Sequence, residues 1–340
     1  MVLRLYKLWP FLIWLVAFYI VWLIFACTFA EGATFADHWE IGVAMLFGSY
    51  IAGSTPMGGG TVGFPILVLL LDESPRLGRD FSVCIQSIGM TSASIYIFCT
   101  RTPLDWRVLV WSCLGALIGI PLGIHFIEPL ISSLWIKLIF SILWASFGVF
   151  TLIKLSAISR PMQEMKCQPT SGSNSLKVND SVISLVLGFV SGLTVVALTG
   201  VGIDMVVYSY LILLKREDMR IAIPTSVVIM ATSSLIAVVS LAVERHDFSS
   251  VFPFWIVAAP VVAVGAPLGA LVVQLVGRTP TLILVSFLCI GQLLWSCYED
   301  RNLYTATHWA VVMGGVLVGV TSCIYLLKLG DLLVCRRLPV

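Results

Sequence analysis

The chain has 340 residues, 59% of them hydrophobic and 11% charged, with a mean hydropathy of +1.01; an ordinary soluble domain is roughly 45–50% apolar and about 25% charged. This excludes a water-soluble globular protein and indicates an all-α, polytopic integral membrane protein, of a plasma or bacterial inner membrane. A net charge of +2 excludes nucleic acid as a natural partner, and the nine cysteines, scattered through apolar runs without a C-x-x-C, suggest neither a disulfide framework nor a metal site.

Arg4 and Lys7 precede the apolar run Trp9–Ala30, long enough for a full span. A signal peptide is the rival reading, with small residues near Thr28 and Ala30. The run exceeds the ~7–15 residues of a signal-peptide core, so a retained helix is expected. After the acidic loop Glu31–Glu40 comes Ile41–Leu71, apolar but interrupted by Gly53-Ser-Thr-Pro-Met-Gly-Gly-Gly-Thr-Val-Gly-Phe-Pro65. Glycine permits φ > 0 and proline removes a donor, so a helix breaks here. Broken backbone at membrane depth is tolerated only where it is buried in protein or lines a cavity. The charged turn Asp72–Asp80 follows, then full-length helices near Phe81–Thr100, Trp106–Ile127 and Leu134–Leu155.

Ser156–Asp180 is the one long polar connection and reads as a linker; its sequon Asn179-Asp180-Ser181 lies too near the next helix for use. Val182–Leu198 is apolar, Thr199-Gly200-Val201-Gly202 interrupts it, and Asp204–Leu214 resumes. The charged turn Lys215–Arg220 leads to helices near Ile221–Val243, Val251–Val276, Thr281–Cys297 and Trp309–Leu329.

The second half repeats the first. Gly58 and Gly60 fall on Gly200 and Gly202 at an offset of 142, and Gly119-Ile-Pro121-Leu-Gly123 falls on Gly265-Ala-Pro267-Leu-Gly269 at an offset of 146. The expected organisation is a first helix and loop (residues 1–38), a repeat (39–155), the linker (156–180), a second repeat (181–298) and a last helix with its tail (299–340), with about eight full spans plus two broken segments. Two homologous halves are the usual build of secondary transporters with a midplane site.

Lysine and arginine bear on topology. If each broken segment enters and leaves on one face, fifteen basic residues (Arg4, Lys7, Arg101, Arg107, Lys154, Arg160, Lys166, Lys177, Lys215, Arg216, Arg220, Arg278, Lys328, Arg336, Arg337) share one side and four (Arg76, Arg79, Arg245, Arg301) the other. Single crossings give a much weaker bias, so re-entrant segments and halves inverted in the membrane are expected.

Gly58-x-Gly60-x-x-Gly63 formally matches a dinucleotide fingerprint but lacks the strand–turn–helix context. In a membrane the backbone N–H groups of Gly59, Gly60 and Thr61 can instead face an anion at the start of a half-helix Phe64–Leu71. The competing reading is close helix packing by small residues. Asp204 is the one carboxylate well inside an apolar segment, a functional candidate by default. It can take up a proton, since burial disfavours a charged carboxylate, hold a cation beside unwound carbonyls, or cap the helix that follows it. Gly200-Val-Gly202-Ile-Asp204 differs by one residue from the Gly-x-Gly-Asp of intramembrane aspartyl proteases, and no second intramembrane aspartate completes a dyad, so an enzyme is not expected. The hydroxyls of Ser87, Thr91, Ser92, Ser94, Thr225, Ser226, Thr232, Ser233 and Ser234 either donate to anion oxygens or bond their own helices. Gln86, Gln274 and Gln292 are unranked polar candidates. Lys137 is expected to snorkel to the interface, and the histidines, including His125 near Glu128, show no metal spacing.

Gly58-Gly-Gly-Thr-Val-Gly-Phe-Pro65 after an apolar helix, its weaker copy at Gly200–Asp204, and Gly-x-Pro-Leu-Gly in each half resemble the TauE/SafE family of membrane permeases, over about Ile41–Trp295. The resemblance implies a secondary carrier for small anions such as sulfite, sulfoacetate and other sulfonates. The second half departs from the pattern, with no triple glycine or following proline and with Asp204 in their place.

The sequence thus reads as an anion transporter alternating access at two broken segments. Gly58, Gly59, Gly60, Thr61, Pro65, Ser87, Thr91, Thr199, Gly200, Gly202 and Ser226 are the candidate substrate-binding residues, and Asp204 couples a proton or cation. No cofactor is called for, and a homo-oligomer is left open. The alternative is a non-transporting scaffold or receptor, against which stands the lack of a soluble domain.

Overall fold

The computed structural model describes residues 8–30, 32–55, 58–158, 179–245, 248–276 and 278–335, and every regular element among them is helical. Most of the linker, as well as Pro56 and Met57, lies outside the described residues. α1 (Trp9–Phe29) has apolar side chains all round and leaves Leu12, Ile13, Val16, Ile20 and Ile24 exposed, as a helix facing lipid does. A short helix α2 (Gly32–Asp37) occupies the expected acidic loop.

α3 (Trp39–Ser54) ends at the glycine–proline break, and α4 (Gly60–Pro65) continues into a π-helical turn at Ile66–Leu70. α5 (Pro75–Cys99) starts earlier than the sequence indicates because Ser74 caps it, accepting the Leu77 N–H at 3.2 Å with Pro75 behind it. Arg76, Arg79 and Asp80 therefore sit in a helix and not in a solvated turn. α6 (Trp106–Leu122), capped by Asp105, runs on as a π turn to Ile127, and α7 (Ser133–Ile158) completes the first half. In the second half, α8 (Asp180–Ser191) extends through a π turn to Thr199, capped by the Asn179 side chain of the sequon. α9 (Ile203–Ser209) ends in a π turn at Tyr210–Leu214. α10 (Met219–Arg245), α11 (Phe252–Val276), α12 (Arg278–Glu299) and α13 (Ala306–Cys335) follow. Nine described helices are long and apolar enough to span, counting Asp180–Thr199. That segment is one arm of the second break, leaving eight full spans.

Both broken segments are re-entrant hairpins. Lys215, at the end of the second, lies 3.6 Å from Asp180 at its start and pairs with Asp105 in the α5–α6 loop. The first hairpin belongs to the opposite face. His38, before α3, stacks on Phe254 at 4.5 Å, and Phe252 touches Phe29 at the end of α1. Arg76, at the start of α5, reaches Glu128 beyond α6 at 3.4 Å, and His125 meets Glu244 of α10 at 3.1 Å. The halves are therefore inverted, and they share detail. Asp72 and Arg216 have φ of 54° and 58°, Gly58 and Gly200 have 66° and 76°. Glu73 N–H bonds Leu67 O at 2.9 Å, and Glu217 N–H bonds Leu211 O at 2.9 Å.

The Gly-x-Pro-Leu-Gly repeats pack each half against the other half's hairpin. A Cβ at Gly119 would lie 2.2 Å from Phe189 O and one at Gly123 2.3 Å from Leu193 O, both on the α8 arm. One at Gly265 would lie 1.9 Å from Ser49 Oγ and one at Gly269 2.4 Å from Tyr50 O, on α3. Only glycine lets these backbones approach. The prolines of α11 also find partners. Pro260 has no N–H for Ile256 O and Pro267 none for Ala263 O, and these carbonyls take the Trp22 indole N–H at 2.8 Å and the Ser92 hydroxyl at 2.5 Å. Lys137 does not snorkel outward: it is buried and pairs with Asp300 at 2.8 Å, because α12 brings an acidic end alongside the start of α7.

Candidate functional site

The hairpin tips, entering from opposite faces, meet in the protein interior. Gly58 has a left-handed φ of 66°. A Cβ there would lie 2.6 Å from Gln86 Oε1 and 3.2 Å from Asp204 Oδ2, so the glycine brings its backbone between an amide of α5 and the carboxylate of the other tip. At Gly60 the Cβ would fall 2.2 Å from Val201 Cγ1 and 2.5 Å from Gln86 Nε2. Gly59 differs, its nearest neighbour being Ala52 Cβ at 3.5 Å. The half-helix begins at Gly60 and not at Phe64, and the Thr61 N–H already bonds Gly58 O at 3.4 Å. Opposite, Gly200 lies against Arg79 O and Gly202, with φ of 109°, against the Trp144 ring.

Asp204 and Gln86 are buried with polar atoms left over. Asp204 Oδ1 accepts the Met205 N–H at 3.0 Å, whereas Oδ2 and both amide atoms of Gln86 have no hydrogen-bond partner among the described residues. Native proteins leave few such groups. A void of about 10 Å³ borders Gln86 and Gly59, the lower limit for a single water. The tips are shut in this conformation.

Trp144 and Arg79 hold the tips in place. Trp144, fully buried, donates its indole N–H to Thr61 Oγ1 at 2.8 Å and stacks on Phe140 at 4.4 Å, which stacks on Phe64 of α4 at 4.3 Å. It thus contacts both hairpins. Arg79, 1% exposed, binds Asp80 at 2.8 Å, Glu128 at 3.3 Å and the carbonyl of Ala197 at the second tip at 3.0 Å.

Trp144 and Arg79 are the functional candidates that the sequence did not single out, and Gln86 is one that it left unranked. A tryptophan in the middle of a spanning helix, away from the interfaces where it concentrates, was a usable signal. Gln86, about three turns into α5, was visible but had no ranking partner until Asp204 was placed beside it.

The hydroxyls are mostly committed. Ser87 donates to Cys84 O at 2.8 Å, Ser226 to Ile223 O at 2.8 Å, Ser94 to Met90 O at 2.7 Å and Thr225 to Ile221 O at 2.7 Å. Thr232, Ser233 and Ser234 likewise bond their own helix. Each hydroxyl has one proton, so in this conformation Ser87 and Ser226 are not anion donors. Thr199 donates within its own tip, to Val195 O at 2.7 Å or Val201 O at 2.9 Å. Thr91 Oγ1 is buried without a partner among the described residues, and Pro65 sits half-buried where α4 becomes a π turn. Ser87 lies on the other flank of α5 from Gln86, lining an apolar cavity of about 730 Å³ with Phe25, Phe29, Phe248, Phe252 and Trp255. His125, near Glu128 in sequence, pairs with Glu244 of α10, and Glu128 binds Arg79.

Inverted repeats with discontinuous helices meeting at the centre of an apolar bundle define a multi-pass membrane protein of the secondary-transporter type. The family model of the sulfite exporter TauE/SafE matches residues 40–294 and again 183–330, so the chain belongs to the TauE/SafE family of transporters. The second match begins at the second repeat. No curated protein and no solved structure gave a significant match.

Proposed function

We propose that the protein moves a small sulfur-containing oxyanion, sulfite or a sulfonate, by alternating access at the two hairpin tips, driven by a proton or cation taken up at Asp204. Gly58–Thr61 hold the anion through their backbone, Thr199–Gly202 close the opposite side, and the closed conformation is the occluded one. The observation that carries this reading is the meeting of the tips from opposite faces around Gly58, Gly60, Val201 and Asp204. Separating either tip alone opens a path to one face. Gln86 joins the site through its place between Gly58 and Gly60.

The basic residues Arg101, Arg107, Lys154, Lys215, Arg216 and Arg220 lie on the face of the second hairpin, which is assigned to the cytoplasm by the positive-inside rule. Two ionic contacts guard the faces: Arg79 with Asp80, Glu128 and Ala197 O on the outer side, and Lys215 with Asp105 and Asp180 on the inner.

The test is sulfite and sulfoacetate flux in proteoliposomes under an imposed pH gradient, with the parent protein and Asp204→Asn. Gradient-driven flux in the parent that disappears in Asp204→Asn is expected. Flux unaffected by the substitution refutes coupling at Asp204, and no flux of either anion refutes the substrate assignment.

A further inference from the structure

We infer that Asp204 and Gln86 form a single-proton site: in the closed conformation Asp204 carries a proton on Oδ2 and donates it to Gln86 Oε1 across Gly58. This rests on the transport reading only for its use in coupling. The pair itself follows from three observations. Asp204 Oδ2 and Gln86 Oε1 lie 3.2 Å and 2.6 Å from one point, the Cβ position of Gly58. Both side chains are at most 1% exposed, and neither oxygen has a partner among the described residues. The Gln86 amide turns Oε1 toward Gly58 and Nε2 toward Gly60, so when Asp204 is ionised Oδ2 and Oε1 are both acceptors and are left buried without a donor, each at a cost. One proton converts Oδ2 into a donor and gives both oxygens a partner.

A metal ion is a poorer fit, since two side-chain oxygens fall short of the about six to eight that calcium gathers. Among the described residues no group of three His, Cys, Asp or Glu side chains is arranged to hold one.

The charges on the elements packed around Asp204 are engaged with other groups or sit near helix ends. On α5, Arg79 is held by Asp80, Glu128 and Ala197 O. On α8 and at the end of the second hairpin, Asp180 and Lys215 pair at the inner face. On α10, Arg220 and Glu244 sit near its two ends, Glu244 against His125. The first hairpin contributes glycine and Thr61 at its tip, and α7 contributes Trp144. Among the described residues no arginine or lysine pairs with Asp204 while the tips are shut. Opening one tip admits water, and the proton exchanges with the solvent of that face. Closing re-forms the bond to Gln86, and opening of the other tip releases the proton there.

The test is infrared spectroscopy of the purified full-length protein at neutral pH, reading the C=O stretch of protonated carboxyl groups, which is separate from the amide band. Asp204→Asn is expected to remove one such band. Gln86→Met is expected to keep the band and move it to higher frequency, as for a carboxyl that has lost its hydrogen bond. Gln86→Asn, which keeps the amide but withdraws it by one methylene, gives the same direction of shift and serves if the methionine variant does not fold. A spectrum unchanged by Asp204→Asn, or a band that neither Gln86 variant moves, overturns the proposal. The band behaves this way whether or not sulfite is carried, so a missing flux with the expected bands removes the transport reading and leaves the proton pair. Proton-coupled flux without the band removes the pair and leaves the transporter.

Discussion

Gly59 and Gly60 are neighbours of one residue type in one run, yet the structure assigns them opposite tolerances. A methyl group at Gly60 would lie 2.2 Å from Val201 Cγ1, 2.5 Å from Gln86 Nε2 and 3.0 Å from Ser82 Cβ, where carbon atoms normally rest at ~3.5–4.0 Å. The Gln86 amide is itself confined, so the tips must separate by about an ångström. Overpacking of this kind costs about 1–3 kcal/mol. Because the shortest of these contacts, to Val201, exists only while the tips are together, strain of this size shifts the closed-to-open ratio by up to roughly 5- to 150-fold. At Gly59 the same methyl meets Ala52 Cβ at 3.5 Å and nothing nearer. Gly60→Ala is expected to lower sulfite flux in proteoliposomes severely with insertion and yield retained, Gly59→Ala to leave it near the parent. Val201→Ala removes the clashing Cγ1 and should restore part of the flux to Gly60→Ala, a coupling that a double-mutant cycle measures. Equal flux in the two single variants, or no rescue by Val201→Ala, refutes the argument.

Arg79→Met leaves Asp80 and Glu128 without their buried guanidinium and is expected to destabilise the protein by about 3–5 kcal/mol, read as a marked fall in thermal stability in detergent. Trp144→Phe keeps the stack on Phe140 but removes the donor to Thr61, a loss of about 0.5–1.5 kcal/mol measured by the same assay. Gly119→Ala and Gly265→Ala drive a methyl into a neighbouring arm and should abolish recovery of folded protein, whereas Gly291→Ala and Gly314→Ala, with nothing within 4 Å, should be neutral or stabilise by up to about 1 kcal/mol. Yield of monodisperse protein by size exclusion separates the two groups. In a cysteine-free background, Ser74→Cys and Asp218→Cys should react with an impermeant thiol reagent from opposite faces, with Asp218→Cys protected in right-side-out vesicles; labelling from one side refutes the inversion.

Composition and hydropathy alone determined the class. Spans of lipid-length apolar residues have few other destinations, and a glycine–proline break repeated at nearly one offset announced two related halves. The excess of lysine and arginine on one side under re-entrant topology also pointed to inversion, because the bias is a property of loops and survives without coordinates. Individual glycines were another matter. Gly60 and Gly59 are indistinguishable in sequence, and only the placement of Val201 and Gln86 separates them. The hydroxyl-rich faces looked equally suited to an anion or to their own carbonyls, and the helix geometry chose the carbonyls, which lie within reach at every turn. Thr91 and Ser92 were the exceptions, Thr91 with its hydroxyl unpartnered among the described residues and Ser92 for a reason outside its own helix, the proline at position 267. Arg79 read as a solvated turn residue because, beside the adjacent Asp80, the partners that allow its burial, Glu128 and the Ala197 carbonyl, come from distant parts of the chain. For the same reason Asp204 stood out from the start, as a carboxylate in an apolar run, while Gln86 could not be ranked above Gln274 and Gln292. An isolated charge violates a local rule, but a neutral amide becomes conspicuous only when tertiary packing buries it beside an unsatisfied oxygen.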